Sequence, residues 1–262
     1  MRRTVIFGIC MLLFAAPAPA QRRAVRHPSA FPNPRSVLWI AAHPDDEAVA
    51  APLLSLWCRE QRAACTFLVL TRGESGACLL PGGCPPDVAT VRAAEAGAAA
   101  QYFQANSIHL TLPDGGGAMQ PQWPPELAET IARYIEAVRP ELILTFDPRH
   151  GTTCHPDHRE VGRLVLEAAR RLTFAPEVYL LETLVTRTPG LPVLRIASAS
   201  PHALRFDAAS RWPEVARNMS FHPSQFDVNL TVAARNVPAS ERAVYLAPAE
   251  TILGHPVAGC AP

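Results

Sequence analysis

From residue 36 onward, short apolar runs alternate with longer stretches of helical spacing, and this alternation limits the possible folds more than any other feature of the chain. Val37 to Ala42, Thr66 to Leu70, Leu142 to Phe146 and Val178 to Leu184 are apolar runs of strand length, while Ile108 to Leu112 alternates apolar with polar residues. Between them, Glu47 to Arg62, Val88 to Phe103, a stretch opened by Pro124-Pro125 and ending near Val138, and His155 to Arg171 carry helical spacing. Strand and helix in alternation predict a single Rossmann-like α/β domain, a mostly parallel sheet with helices on both faces and right-handed crossovers. No internal repeat or second hydrophobic pattern calls for another domain.

Ligands of such sheets bind beyond the carboxyl ends of the strands. Four successive loops place polar residues there: His43 to Glu47, Thr71 to Glu74, Pro113-Asp114, and Asp147 to His158. The first reads Pro-Asp-Asp where a dinucleotide fold needs a glycine-rich turn, which rules out that cofactor. In His43-Pro44-Asp45-Asp46-Glu47 and His155-Pro156-Asp157-His158, pairs of metal-type ligands stand three residues apart, His43 with Asp46 and His155 with His158. On a helical first turn each pair shares one face, so two such pairs can enclose one divalent ion. A bland alternative is an N-cap, with Asp accepting backbone N–H bonds and Pro at the first turn, and one carboxylate can cap while its neighbour binds metal.

Composition narrows the function classes. There are 24 basic against 23 acidic residues, a formal net charge of +1, which is no footprint for nucleic acid or anionic membrane. Every basic side chain in that count is Arg, so lysine Schiff-base and Walker-A chemistry are excluded. Residues 1 to 20 run from Met1-Arg2-Arg3 through an apolar stretch to Ala18-Pro19-Ala20, the order of a secretory signal. The expected organisation is a signal over 1–20, an extended lead-in over 21–35 and one domain over 36–262, secreted or periplasmic, with no membrane span. Outside the signal stand six cysteines, and an oxidising compartment makes disulfides the default. Sequence does not fix their pairing; two short loops, Cys58 with Cys65 and Cys78 with Cys84, leave Cys154 with Cys260 as one arrangement.

Ala42 to Glu47, Thr71-Arg72-Gly73-Glu74-Ser75-Gly76, Arg92 with Glu95, His155 to His158 and His222-Pro223-Ser224-Gln225 resemble, in that order, the PIG-L/LmbE-like zinc-dependent de-N-acetylases. The likeness spans about residues 36 to 226. It implies removal of an acetyl group from N-acetylglucosamine carried on a lipid, inositol or other aglycone. By the resemblance His43, Asp46 and His158 are the metal ligands, Asp45 is the general base, and His155 stabilises the oxyanion and helps the amine leave. Arg72 matches an arginine facing the sugar-bearing substrate, and Asp114 is placed to accept hydrogen bonds from sugar hydroxyls. His155 is expected to be cationic, held so by Asp157 or another nearby carboxylate.

Chemistry supports the ligand set independently, since two imidazoles and a carboxylate leave a fourth position open on tetrahedral zinc; Fe2+ suits the same donors. Arg92 and Glu95, three apart on a helix, suit an ion pair or a brace, and His222 and Gln225 either line the pocket or pack. The Cys78–Cys84 loop and the 149–154 spacer depart from the family pattern and border the pocket, so the aglycone is left open. A glycan-binding protein without turnover competes with the enzyme reading, but has little need of Asp45 and His155. A metal-dependent phosphodiesterase would call for more carboxylates and a second ion.

Overall fold

Ser36–Ala41 forms β1, and its side chains alternate between two hydrophobic layers, Val37, Trp39 and Ala41 in one and Leu38 and Ile40 in the other. A strand covered on both faces needs this uninterrupted apolar run. The structure, a computed structural model, describes residues 31–115, 123–187, 194–252 and 260. The signal reading and residues 21–30 of the lead-in lie outside them, as do Gly116 and Gly117.

β2 (Ala64–Thr71), β3 (Asn106–Leu112), β4 (Leu142–Phe146) and β5 (Glu177–Leu181) extend the sheet in parallel with β1. β6 (Thr183–Arg187) and β7 (Leu194–Ser198) form a separate antiparallel pair, and β8 (Leu204–Asp207) and β9 (Ala243–Pro248) add an antiparallel edge to the main sheet. The main sheet has the order β3-β2-β1-β4-β5-β9-β8. The order reverses direction between β1 and β4, and a crevice opens at the carboxyl ends of strands on either side of such a reversal.

Two layers cover the sheet. On the Trp39 side lie a 3-10 turn (Asp46–Ala50), α1 (Ala51–Leu54), a π turn (Ser55–Glu60) and α2 (Val88–Phe103). On the Leu38 side lie α3 (Leu127–Val138) and then, after the short α4 (Gly151–Cys154), α5 (Pro156–Ala169). Asp87 caps α2 by accepting the Thr90 N–H, and Pro156 occupies the first turn of α5, where no N–H is needed. α6 (Pro213–Met219) and α7 (Val228–Arg235) join the Trp39 side, and α8 (Ala249–Ile252) follows β9.

Two sequence expectations are corrected. The continuous helix over 47–62 is a 3-10, α and π succession, because Pro52 has no N–H to continue an α-helical ladder from the loop. The strand over 178–184 breaks at Glu182, whose N–H donates to Tyr245 O while its carbonyl accepts the Ala199 N–H, so the chain leaves the main sheet for the β6–β7 pair. Residues 31–35, within the extended lead-in, pack on the domain: Phe31 meets Trp57 and Phe206, and Trp57 Nε1 donates to Pro32 O at 3.1 Å. Phe31–Pro262 is accordingly one compact unit. The disulfides are Cys58–Cys65, Cys78–Cys84 and Cys154–Cys260, the expected arrangement. No helix among the described residues is long and apolar enough to cross a membrane.

Gly162 lets α5 lie directly on the end of β4, since a Cβ there would fall inside contact distance of the Phe146 carbonyl. Gly162→Ala is therefore expected to cost about 1–3 kcal/mol by overpacking, read as a lower urea midpoint at unchanged slope; an unchanged midpoint would show that the helix rides clear of the strand.

Candidate metal centre and active site

β1 and β4 are hydrogen-bonded neighbours, so the loop after Ala41 and the loop after Phe146 come together. His43 and Asp46 arrive from the first, His155, Asp157 and His158 from the second. Asp46 Oδ2 accepts the N–H groups of Ala42 and His43 at 2.9 and 2.8 Å, which turns Oδ1 toward the crevice. Asp46 therefore does not cap the turn that follows, where no side chain serves as cap, and its second oxygen is left for chemistry.

Three atoms converge there. His43 Nδ1 lies 3.3 Å from His158 Nε2 and 3.7 Å from Asp46 Oδ1, and His158 Nε2 lies 2.9 Å from Asp46 Oδ1. The opposite ring atoms show what each nitrogen carries. His158 Nδ1 faces the Gly151 carbonyl at 2.9 Å and must donate to it, which leaves Nε2 as a lone pair. His43 Nε2 faces Asp157 Oδ2 at 3.0 Å and Asp114 Oδ1 at 3.4 Å, so its proton sits there and Nδ1 is the lone pair. Tetrahedral bonds of about 2.0–2.2 Å put ligand atoms roughly 3.3–3.5 Å apart, and the three separations bracket that value. The donor set fits one divalent ion. Burial disfavours the His43 cation, but Asp46, Asp114 and Asp157 outweigh it and hold the imidazole well above its ordinary value. Burial likewise opposes ionisation of Asp46, and His158 and His43 outweigh it, holding the carboxyl well below its ordinary value. Metal loading is expected to release the proton these groups would otherwise share.

Asp45 sits beside the cluster at φ 126°, a conformation that costs a non-glycine residue about 1–3 kcal/mol. Arg92 holds it there. The buried guanidinium donates to the carbonyls of Gly73 and Pro44, both at 2.8 Å, and lies 3.0 Å from Asp45 Oδ1. Gly73, at φ 66°, has no side chain because the Arg92 guanidinium fills that space. Burial pushes the Asp45 carboxyl up to about 6, against the pull of Arg92.

His155 caps α5, its Nδ1 accepting the Asp157 N–H at 3.2 Å, so the ring proton is on Nε2. Burial and then the neighbouring His158 and His43 push its pKa down to about 4. The Asp157 carboxylate is turned onto His43 and the Gly115 N–H rather than onto the His155 ring. Asp114 reaches the cavity too, with its carboxylate on His43 and on the Ser75 N–H. Arg72 does not line the cavity; it is exposed and lies 3.7 Å from Asp87.

Several supporting groups have partners that the sequence patterns do not give. Arg92 and Glu95 are braces rather than a pair, for Glu95 accepts the Ser224 N–H and hydroxyl at 2.9 and 2.6 Å. His222 is fully buried and bonds Glu47 at 2.6 Å, joined by Asn218 at 3.0 Å. Gln225 lines the cavity. Asp147, Glu182 and His150 form a second buried cluster, but the Arg149 guanidinium bonds both carboxylates, so a positive charge already occupies it. Only the i, i+3 spacing of Arg92 and Glu95 and the tetrapeptide at His222 signalled any of these in the sequence.

Residues 38–169 match the family described as PIG-L, GlcNAc-PI de-N-acetylase. A 1D-myo-inositol 2-acetamido-2-deoxy-alpha-D-glucopyranoside deacetylase of Kineococcus radiotolerans is 28% identical over 163 residues, 52% of this chain and 45% of that protein, so the chain spans about half the length of this relative. A probable N-acetyl-alpha-D-glucosaminyl L-malate deacetylase 2 of Bacillus anthracis is 28% identical over 213 residues, 78% of this chain and 87% of that protein. Among solved structures, the N,N'-diacetylchitobiose deacetylase from Pyrococcus horikoshii superposes with a TM-score of 0.60 at 16% identity, covering 75% of this chain and 73% of that one. GalB, the 4-carboxy-2-hydroxymuconate hydratase from Pseudomonas putida, gives 0.59 at 19%, covering 86% and 99%. At such identities the likeness is one of fold.

The carboxylate behind a metal-ligating imidazole sets its tautomer and basicity. Asp157→Asn is expected to weaken binding of a divalent ion by roughly 10–100-fold, measured by calorimetric titration of zinc into metal-free protein. Affinity equal to the wild type would remove His43 from the ligand set.

Proposed function

Because the chain belongs to the GlcNAc-PI de-N-acetylase (PIG-L) family, we propose that it is a metal-dependent amidase that removes the N-acetyl group from an amino-sugar conjugate. The observation that carries this reading is the placement of a carboxyl with pKa raised to about 6, Asp45, in one cavity with the converging atoms of His43, Asp46 and His158. Zinc is the ion these donors suit, and ferrous iron is compatible with them. When bound, such an ion supplies a Lewis acid that acidifies water toward a pKa of ~7 and polarises the amide carbonyl.

The chain's own residues do the rest. Asp45 takes the proton of the attacking water, and Arg92 keeps it ionised and oriented. The Nε2–H of His155, neutral and aimed by the Asp157 N–H, donates to the carbonyl oxygen as negative charge develops there. The proton held by Asp45 then passes to the departing nitrogen, leaving acetate and a free amine. Asp114 and Asp157 orient His43. Three disulfides suit a site of action outside the cytoplasm, secreted or periplasmic. GalB has a likeness of fold to this chain and is described as a hydratase, so acetate release is the decisive assay. A folded, metal-loaded protein that frees no acetate from N-acetylglucosamine conjugates would sink the amidase reading in favour of water addition or glycan binding without turnover.

Asp45→Asn is expected to lower kcat by about 10²–10⁴-fold while metal content stays at one ion. Asp45 acts only when ionised, so kcat/KM of the wild type should fall as pH drops through about 6. Arg92 draws that pKa down, so Arg92→Gln should move the acid limb to higher pH. A limb that stays in place would separate Arg92 from the base.

A further inference from the structure

α6 faces two cavities. Val215 and Met219, one turn apart, line the cavity of the proposed active site, while Ala216, Arg217 and Ser220 turn to a second cavity of about 590 Å³. Trp212, at the head of the helix, borders both. The lining of this outer cavity shares no residue with the candidate metal centre. Its charge is set by three guanidinium groups, those of Arg217 in the last turn of α6, Arg235 in the last turn of α7, and Arg242 just ahead of β9. We propose that the outer cavity is a binding site for a phosphate or sulfate group carried on a sugar-sized body, separate from the site of amide hydrolysis.

Charge is unbalanced here. Elsewhere on the molecule arginines commonly face a carboxylate, as Arg211 faces Glu60 and Arg195 faces Glu241. Arg217, Arg235 and Arg242 form no ion pair among the described residues. The acid in the lining, Glu214, is already engaged by the Tyr102 hydroxyl at 2.7 Å and stands 3.9 Å from Arg59. A chain of net charge +1 has no general basicity that would gather three arginines around one concavity. Part of the site is also held in place. Arg242 donates from Nε to Val237 O at 2.9 Å and from Nη2 to Arg235 O at 3.2 Å, which fixes the guanidinium plane and leaves Nη1 for another acceptor. Such a fork suits the oxygens of phosphate or sulfate, and three cations favour a multiply charged group over a single carboxylate. A bare oxyanion would fill little of the volume, which lies in the range of roughly 300–1,000 Å³ that takes small organic ligands. Trp212, Pro213 and Ala216 give the cavity an apolar side on which the non-polar face of a pyranose can rest.

The test is calorimetric titration of the metal-free protein with inorganic phosphate, inorganic sulfate, glucose 6-phosphate and glucose at fixed ionic strength, so that no bound ion competes for the anions. Saturable binding of phosphate with a Kd of about 1 mM or below is expected, tighter for glucose 6-phosphate and absent for glucose. Arg217→Gln and Arg235→Gln, checked for folding by thermal melting, should each weaken the anions by about tenfold. Arg187→Gln, which alters a residue of the active-site cavity instead, should leave them unchanged. Binding that survives both of the first two substitutions, or that is lost with Arg187→Gln, overturns the outer site. Absence of saturable binding by all three anions overturns it as well. Equal affinity for free phosphate and glucose 6-phosphate supports the oxyanion pocket and overturns the sugar-sized body.

Discussion

Two imidazole lone pairs and a carboxylate oxygen, all within 3.7 Å of one another, face a common point with no donor between them. Such an arrangement is repulsive until a cation or a proton enters it, and most of the surrounding structure serves to hold it in place. The Gly151 carbonyl fixes the His158 tautomer, Asp157 and Asp114 fix that of His43, and two backbone N–H groups fix Asp46. Apart from Asp114, which follows β3, these groups come from loops that the adjacency of β1 and β4 brings together. The Cys154–Cys260 bridge ties the second of those loops to the far C-terminal region.

Around this centre lies a shell of buried charge that would be costly in any other setting. Removing one partner of a buried ion pair costs roughly 3–5 kcal/mol, and the site keeps several such pairs. Burial works against ionisation of Glu47, but His222 outweighs it and holds the carboxyl below its ordinary range. Their bond joins the loop after β1 to the residues following α6. Glu95 does the same for Ser224, and Arg92 ties α2 to the loops after β1 and β2. These bonds pin the segments that form the cavity, and they sustain the unfavourable φ of Asp45, the group for which position matters most.

The active-site cavity also draws on two parts of the fold. Its polar end grows from the carboxyl ends of the parallel strands, where backbone dipoles and loop residues gather in any doubly wound fold. Further lining, both apolar (Val185, Ile196, Met219) and polar (Thr183, Arg187, Gln225), comes from the antiparallel pair and helices after Glu182, the residue at which the chain leaves the main sheet.

The parallel core, the order of its first five strands along the chain and the two ligand-bearing segments were legible in the sequence, because apolar runs and i, i+3 spacing are local properties. The short Cys loops were legible for the same reason. Arg92 reaching Asp45, Asp157 turning to His43 instead of His155, and His222 burying itself on Glu47 were not, since each joins residues from 47 to 175 positions apart. Arg72 attracted attention by its place in a motif, yet the fold leaves it on the surface beside Asp87. Residue types and local spacing singled out the two segments whose side chains converge in the candidate metal centre. Protonation, orientation and the cavity lining were decided by tertiary structure alone, because they depend on burial and on which distant groups face each atom.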